Sequence, residues 1–277
     1  MSEAYETILY EVDDPVAIIT LNRTARMNAW NLTMARELQD AVQRAGDDRR
    51  VVGVIITGAG RAFCSGGDMK DLTLDDLKMK PTPQTNGEAA RSESGGGEAA
   101  GSLAYFMNLP KPVVAAINGP AVGMGAVLAL WTDLRFMAEE AMLSMAFSQR
   151  GTVAEGGSSC LLTRLAGASV AIDLLISSRR VSAEEALRLG LVNGVAPSAD
   201  LVRVARDYIG ELARTCSPTS IATMKRQVYA DLSDNLGASV KAARKLLAEA
   251  VEGPDIKEGW RSFLEKRPAR YVRLGST

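Results

Sequence analysis

Two glycine-broken segments hold the clearest chemistry in this chain: Phe63-Cys64-Ser65-Gly66-Gly67-Asp68 and Asn118-Gly119-Pro120-Ala121-Val122-Gly123-Met124-Gly125. Each follows an apolar run of strand character, residues 51–57 and 113–117, and each opens into a stretch of helical character. Glycine permits backbone conformations and close approaches that a side chain blocks. The first amides of a helix have no partner inside it and can face an anion. Two such turns, converging from separate parts of the chain, can hold the negative oxygen of an enolate or of a tetrahedral intermediate.

The 277 residues include no histidine. That removes Ser-His-Asp triads and most zinc sites. Acid–base work falls to carboxylates, lysine, tyrosine or cysteine. The three cysteines, Cys64, Cys160 and Cys216, lie far apart without metal spacing and read as reduced, mostly buried thiols. Cys64 sits inside the first glycine segment but has no histidine to activate it, so it reads as a buried thiol rather than a nucleophile. Lysine and arginine number 32 against 33 acidic residues, a net charge of −1, so neither nucleic acid nor an anionic membrane is expected as a partner. Apolar runs are broken well short of a membrane span, and Met1-Ser2-Glu3-Ala4 lacks the pattern of a signal peptide. A cytoplasmic location is expected.

With 47% apolar residues, the chain has material for a sizeable core. Residues 7–21 alternate around Asp13-Asp14-Pro15, predicting a hairpin. Leu32, Met34, Ala35, Leu38, Ala41 and Val42 have the spacing of an amphipathic helix over 31–45. Strands are expected at 51–57, 113–117, 133–137 and 141–144, and Gly190-Leu191-Val192 is expected to lead into a short strand ending near Pro197. Helices are expected at 125–132, 158–165, 168–177 and 182–189, the last with a serine cap and early acidic residues. From 200 onward the pattern is helical, at 200–214, 218–230, 235–251 and 255–265. Residues 73–102, rich in Gly, Ser, Glu, Lys, Pro and Thr, read as a surface excursion or a lid. Asp68 is expected to cap a helix, Asp133 to join a helix to a strand, and Glu139-Glu140 to form a solvated turn.

Four segments in register carry a resemblance. They are Val16-Ala17-Ile18-Ile19-Thr20-Leu21-Asn22-Arg23 with Asn28-Ala29, the two glycine segments, and Phe263-Leu264-Glu265-Lys266-Arg267-Pro268-Ala269-Arg270-Tyr271. Together they resemble the crotonase (enoyl-CoA hydratase/isomerase) superfamily over nearly the whole chain. The resemblance implies an α/β fold, a crotonase spiral of ββα units over 1–198. It also implies a helical C-terminal oligomerisation region over 199–277, assembling a homotrimer or a dimer of trimers. It implies that the main-chain N–H groups of Gly67 and Met124 form the oxyanion hole for a thioester. Coenzyme A enters only as part of that thioester, and no separate cofactor or metal is implied.

The hydratases of this superfamily carry two glutamates, and here Val127 and Phe147 occupy the matching positions. Neither moves a proton, so two-carboxylate addition of water is not supported. Glu155, before Gly156-Gly157, instead resembles the acidic residue of the Δ3,Δ2-enoyl-CoA isomerase branch. One carboxylate suits a shift of a double bond, taking a proton from C2 and returning it at C4. The other role open to Glu155 is to cap the helix that follows. For the coenzyme A portion, the resemblance points to Arg26, Ala62, Cys64, Lys70 and Gly123, with Phe263 and Lys266 reaching the adenine end from a neighbouring subunit. Lys70 and Lys266 also fit ordinary surface lysines, and Phe263 also fits helix packing. The competing functions are hydration, hydrolysis, C–C cleavage or decarboxylation of an acyl-CoA, or binding of an acyl-CoA without catalysis.

Overall fold

Apolar alternation over the first two strands closes a hairpin, β1 (Ile8–Asp13) against β2 (Val16–Leu21), with Asp13 opposite Val16. The computed structural model describes residues 5–70 and 103–275, so the expected excursion at 73–102 lies outside the described residues. Helix α1 (Leu32–Asp47) begins where the Asn31 side chain accepts the Met34 amide at 2.9 Å, and its Met34, Leu38, Ala41, Val42 and Ala45 stripe is buried. It crosses over to β3 (Gly53–Gly58), which pairs parallel with β2. A short helix, α2 (Tyr105–Asn108), leads into β4 (Val113–Ile117), parallel to β3.

The second crossover holds β5 (Ala121–Val122) and α3 (Met124–Trp131) before β6 (Leu134–Ala138), and β7 (Met142–Ser144) follows. Then come α4 (Ser158–Ala166), α5 (Ala168–Ser177), β8 (Val181–Ser182), α6 (Ala183–Arg188) and β9 (Gly194–Ala196). The strands form a six-stranded sheet, β1-β2-β3-β4-β6-β9, parallel except for β1, and a three-stranded sheet, β5-β7-β8. All five residues of β4 are buried, as expected of a central parallel strand covered on both faces. The two-residue strands β5 and β8, and helix α2, were not foreseen.

Helix α7 (Leu201–Thr215) packs as a layer of this core through buried Leu201, Ala205 and Ile209, and Gly53 on β3 leaves the room Ile209 occupies. Helix α8 (Pro218–Asp231) is fastened by polar groups. Lys225 Nζ donates to Asp133 at 2.7 Å and to the Lys111 carbonyl at 3.0 Å, and Tyr229 donates to Asp133 at 2.6 Å. Asp133 therefore ties α8 to the start of β4, whose Val113 amide it also accepts. Helix α9 (Leu236–Glu252) has no buried residue, and α10 (Pro254–Leu264) has only Ser262. They leave Leu236, Leu247, Trp260, Phe263 and Leu264 exposed. Beyond them Arg273 returns to the hairpin, donating to Asp14 and to the Arg50 carbonyl. Among the described residues no helix is long and apolar enough to cross a membrane.

Candidate active site

The two glycine segments lie side by side. Cys64 bridges Ala121, the Cys64 amide donates to the Pro120 carbonyl at 3.2 Å, and the Val122 amide returns a bond to the Cys64 carbonyl at 2.9 Å. Contact is so close that a Cβ on Gly125 would sit 2.1 Å from the Cys64 carbonyl oxygen. Gly66 has φ +103, a conformation costly for any residue with a side chain.

Two peptide planes follow from this packing. Trp30 forms a parallel bridge with Gly67: its amide donates to the Gly66 carbonyl at 2.7 Å, and its carbonyl accepts the Asp68 amide at 2.8 Å. In a trans peptide the C=O and N–H groups point opposite ways. The Gly66 carbonyl faces Trp30, so the Gly67 N–H faces away from it. On the other segment the Gly123 carbonyl accepts the Val127 amide at 2.9 Å, the first turn of α3. The Met124 N–H therefore points out of the helix start. Among the described residues neither amide donates a backbone hydrogen bond. The sequence places the helix start at Gly125; its start at Met124 makes this amide one of the unpaired first-turn donors.

The turn carrying Glu155 lies against α3. A Cβ on Gly156 would fall 2.8 Å from Val127 Cγ1 and 3.9 Å from Met124 Sδ, and Trp131 Nε1 donates to the Gly156 carbonyl at 2.7 Å. Glu155 is half-buried. Its main-chain carbonyl accepts the Ser158 amide at 3.0 Å, yet no side chain caps α4. Its carboxylate has no hydrogen-bond or ion-pair partner among the described residues. Val127 is fully buried and Phe147 nearly so.

Other predicted residues fall into distinct settings. Arg26 and Lys70 are exposed beside the first segment. Ala62 and Cys64 are buried, and their polar main-chain groups are engaged. The Ala62 carbonyl accepts the side-chain amides of Asn28 at 2.8 Å and Asn118 at 3.5 Å, while Cys64 spends both its amide and its carbonyl on the bridge. Burial pushes the Cys64 thiol up to about 11, which fits an inert thiol, whereas Cys160 is exposed and Cys216 half-buried, against the expectation that the cysteines are mostly buried. Gly123 donates its amide to Ser144. Phe263 and Lys266 are exposed, and their main-chain bond is to each other. Among the described residues no hydrogen bond or ion pair joins either of them to Gly67, Met124 or Glu155.

The helix that Asp68 is expected to cap lies outside the described residues, and Asp68 has partners of its own. Its carboxylate accepts the Lys70 amide at 3.1 Å and pairs with Arg23 at 2.9 Å, with the Asp68 side chain only 5% exposed. Burial pushes this carboxyl up, but the Lys70 amide and the Arg23 guanidinium outweigh it and hold it below the ordinary carboxylate value. Asn28, Asn118, Trp30 and the Arg23–Asp68 pair were not singled out from sequence for these roles. Most of their partners lie far along the chain, and for Asn28, Asn118 and Trp30 they include main-chain groups, which leave no spacing to read. Among the described residues no group of three or more His, Cys, Asp or Glu is placed to hold a metal ion.

Comparison with known proteins agrees with this architecture. The family model described as Enoyl-CoA hydratase/isomerase matches residues 11–273. A Rhodobacter capsulatus protein named "Probable enoyl-CoA hydratase" is 34% identical, over 97% of this chain and 99% of its own. The 1,2-epoxyphenylacetyl-CoA isomerase of Escherichia coli is 32% identical over 96% of this chain and 98% of its own. The crystal structure of an enoyl-CoA hydratase from Bacillus anthracis superposes with a TM-score of 0.83 at 29% identity, covering 96% of this chain and 99% of that one. The expected α/β crotonase fold with a helical C-terminal region is borne out.

Proposed function

The chain belongs to the enoyl-CoA hydratase/isomerase family, and from that premise we propose that it moves a carbon–carbon double bond in an enoyl-CoA thioester with Glu155 as its one base. The thioester oxygen of a 3-enoyl-CoA accepts the N–H groups of Gly67 and Met124. Glu155 takes a proton from C2, and the freed electron pair spreads onto the oxygen as an enolate. Collapse of the enolate, with the proton delivered at C4, gives the 2-enoyl isomer and restores the carboxylate. Each good donor contributes about 3–4 kcal/mol to the charged state.

The observation that carries this reading is the state of Glu155. It is half-buried, the next residue, Gly156, lies against Val127 and Met124, and the Glu155 carboxylate is spent on neither a helix cap nor an ion pair among the described residues. Hydration of a 2-enoyl-CoA is the second reading, favoured by the names of the relatives. It requires another proton-moving group, where Val127 and Phe147 present hydrocarbon. Exposed Arg26 and Lys70 suit the anionic coenzyme A at the mouth of the site.

The uncovered apolar residues of α9 and α10 support assembly into a homotrimer or a dimer of trimers, with Phe263 and Lys266 completing a neighbour's coenzyme A site. The free thiols fit a reducing, cytoplasmic setting. The test is Glu155→Gln, which keeps shape and removes the proton acceptor. Isomerase kcat is expected to fall by about a hundred- to ten-thousand-fold with acyl-CoA affinity nearly unchanged. Full turnover by the variant refutes the assignment.

A further inference from the structure

We infer that Arg23 and Asp68 are positioning residues for the oxyanion hole: their buried ion pair locks the Gly66–Gly67 peptide so that the Gly67 N–H stays aimed at the thioester oxygen. This rests on the oxyanion reading above. A peptide between two glycines is the least constrained in any chain, since neither neighbour has a side chain to restrict it. A donor that swings away from the developing charge loses its effect, so something outside the glycines must fix this plane.

Part of that constraint is the Trp30 strand, bonded to the Gly66 carbonyl and the Asp68 amide. Its own anchorage is the guanidinium of Arg23. One nitrogen of that fork, Nη1, donates to the Ala29 carbonyl at 2.5 Å, on the residue before Trp30. The other, Nη2, pairs with Asp68 at 2.9 Å, on the residue after Gly67. A planar, rigid fork thus grips both sides of the bridge at once. The Arg23 amide donates in turn to Asn28 Oδ1 at 2.9 Å, and Asn28 holds the Ala59 and Ala62 carbonyls. The loop before the first segment and the strand facing it become one cross-linked unit. Met124 needs no such device, because the hydrogen bonds of α3 fix its peptide.

The test reads the donor directly, without turnover. A saturated acyl-CoA with a 13C-labelled thioester carbonyl is bound to the full-length protein, and its carbonyl stretch is followed by difference infrared spectroscopy. Wild type and Glu155→Gln are expected to move the band to lower frequency than in free thioester. Asp68→Asn and Arg23→Gln are expected to lose most of that shift while binding the acyl-CoA with nearly unchanged Kd, and to lose up to about a hundred-fold in kcat. Arg23→Lys, which keeps the charge, is expected to recover part of the shift. If Asp68→Asn does not fold, Arg23→Gln reads the same contact from its other end. A full wild-type shift in folded Asp68→Asn or Arg23→Gln overturns the positioning role alone. Absence of any shift in wild type overturns the oxyanion reading and this proposal with it.

Discussion

The two halves of the proposed site are built by opposite means. On the carbonyl side both proposed donors are main-chain groups, and their supports are dense: a parallel bridge at Trp30, a second at Cys64, a buried ion pair and the first turn of a helix. On the proposed proton side stands Glu155, in a turn between short elements whose Gly156 lies against Val127 and is held to α3 through Trp131. Stabilising charge on an oxygen is common to every enolate reaction, and it depends on geometry that tolerates little movement. Choosing which proton moves depends on where a single carboxylate stands. A scaffold built this way can keep its carbonyl side and change its reaction by relocating one acidic residue.

That contrast can be broken first at Gly125. An added methyl group lies 2.1 Å from the Cys64 carbonyl, against backbone that has no flexible end to give way. Gly125→Ala is therefore expected to force the two segments apart and misaim the Met124 donor. A loss of roughly a hundred- to a thousand-fold in kcat is the scale for one lost donor, and the overpacking is expected to cost about 1–3 kcal/mol of stability, lowering the melting temperature. Steady-state kinetics and thermal unfolding of the same preparation check both. An unchanged kcat would show that the close approach does not set the donor.

A smaller effect is expected on the other side. Trp131→Phe removes the Nε1 bond to the Gly156 carbonyl while leaving most of the ring volume. One hydrogen bond contributes about 0.5–1.5 kcal/mol, so kcat should fall about tenfold or less, with binding of acyl-CoA preserved. A loss as deep as that of Gly125→Ala would mean that the Glu155 turn is held as rigidly as the donors are.

Much of this architecture is legible in the residues. Strands with several buried β-branched residues and helices with clear apolar stripes fall within a residue or two of their expected places, as at 32–47 and 168–177. What periodicity cannot show is a strand of two residues, such as β5, which is too short to alternate. The glycine turns mark where the site lies, because glycine at a close approach is a local signature. The clamps that hold those turns are not legible. Asn118 reaches Gly58 and Gly60, and Asn28 reaches Ala62, by bonding main-chain atoms that every residue possesses. Phe263 and Lys266 are exposed on one chain, so their proposed place at a second copy's site is suggested by a sequence pattern but not positioned by it.

The central proposal is that one carboxylate, with Val127 and Phe147 standing where the hydratases carry acids, moves a double bond instead of adding water. The most direct measurement incubates the wild-type protein separately with 3-enoyl-CoA and 2-enoyl-CoA substrates and identifies the products by mass spectrometry and NMR. The account predicts that the 3-enoyl substrate becomes its 2-enoyl isomer at unchanged mass, and that the 2-enoyl substrate gains no water. Hydration of the 2-enoyl substrate, with no movement of the double bond in the other, would contradict it.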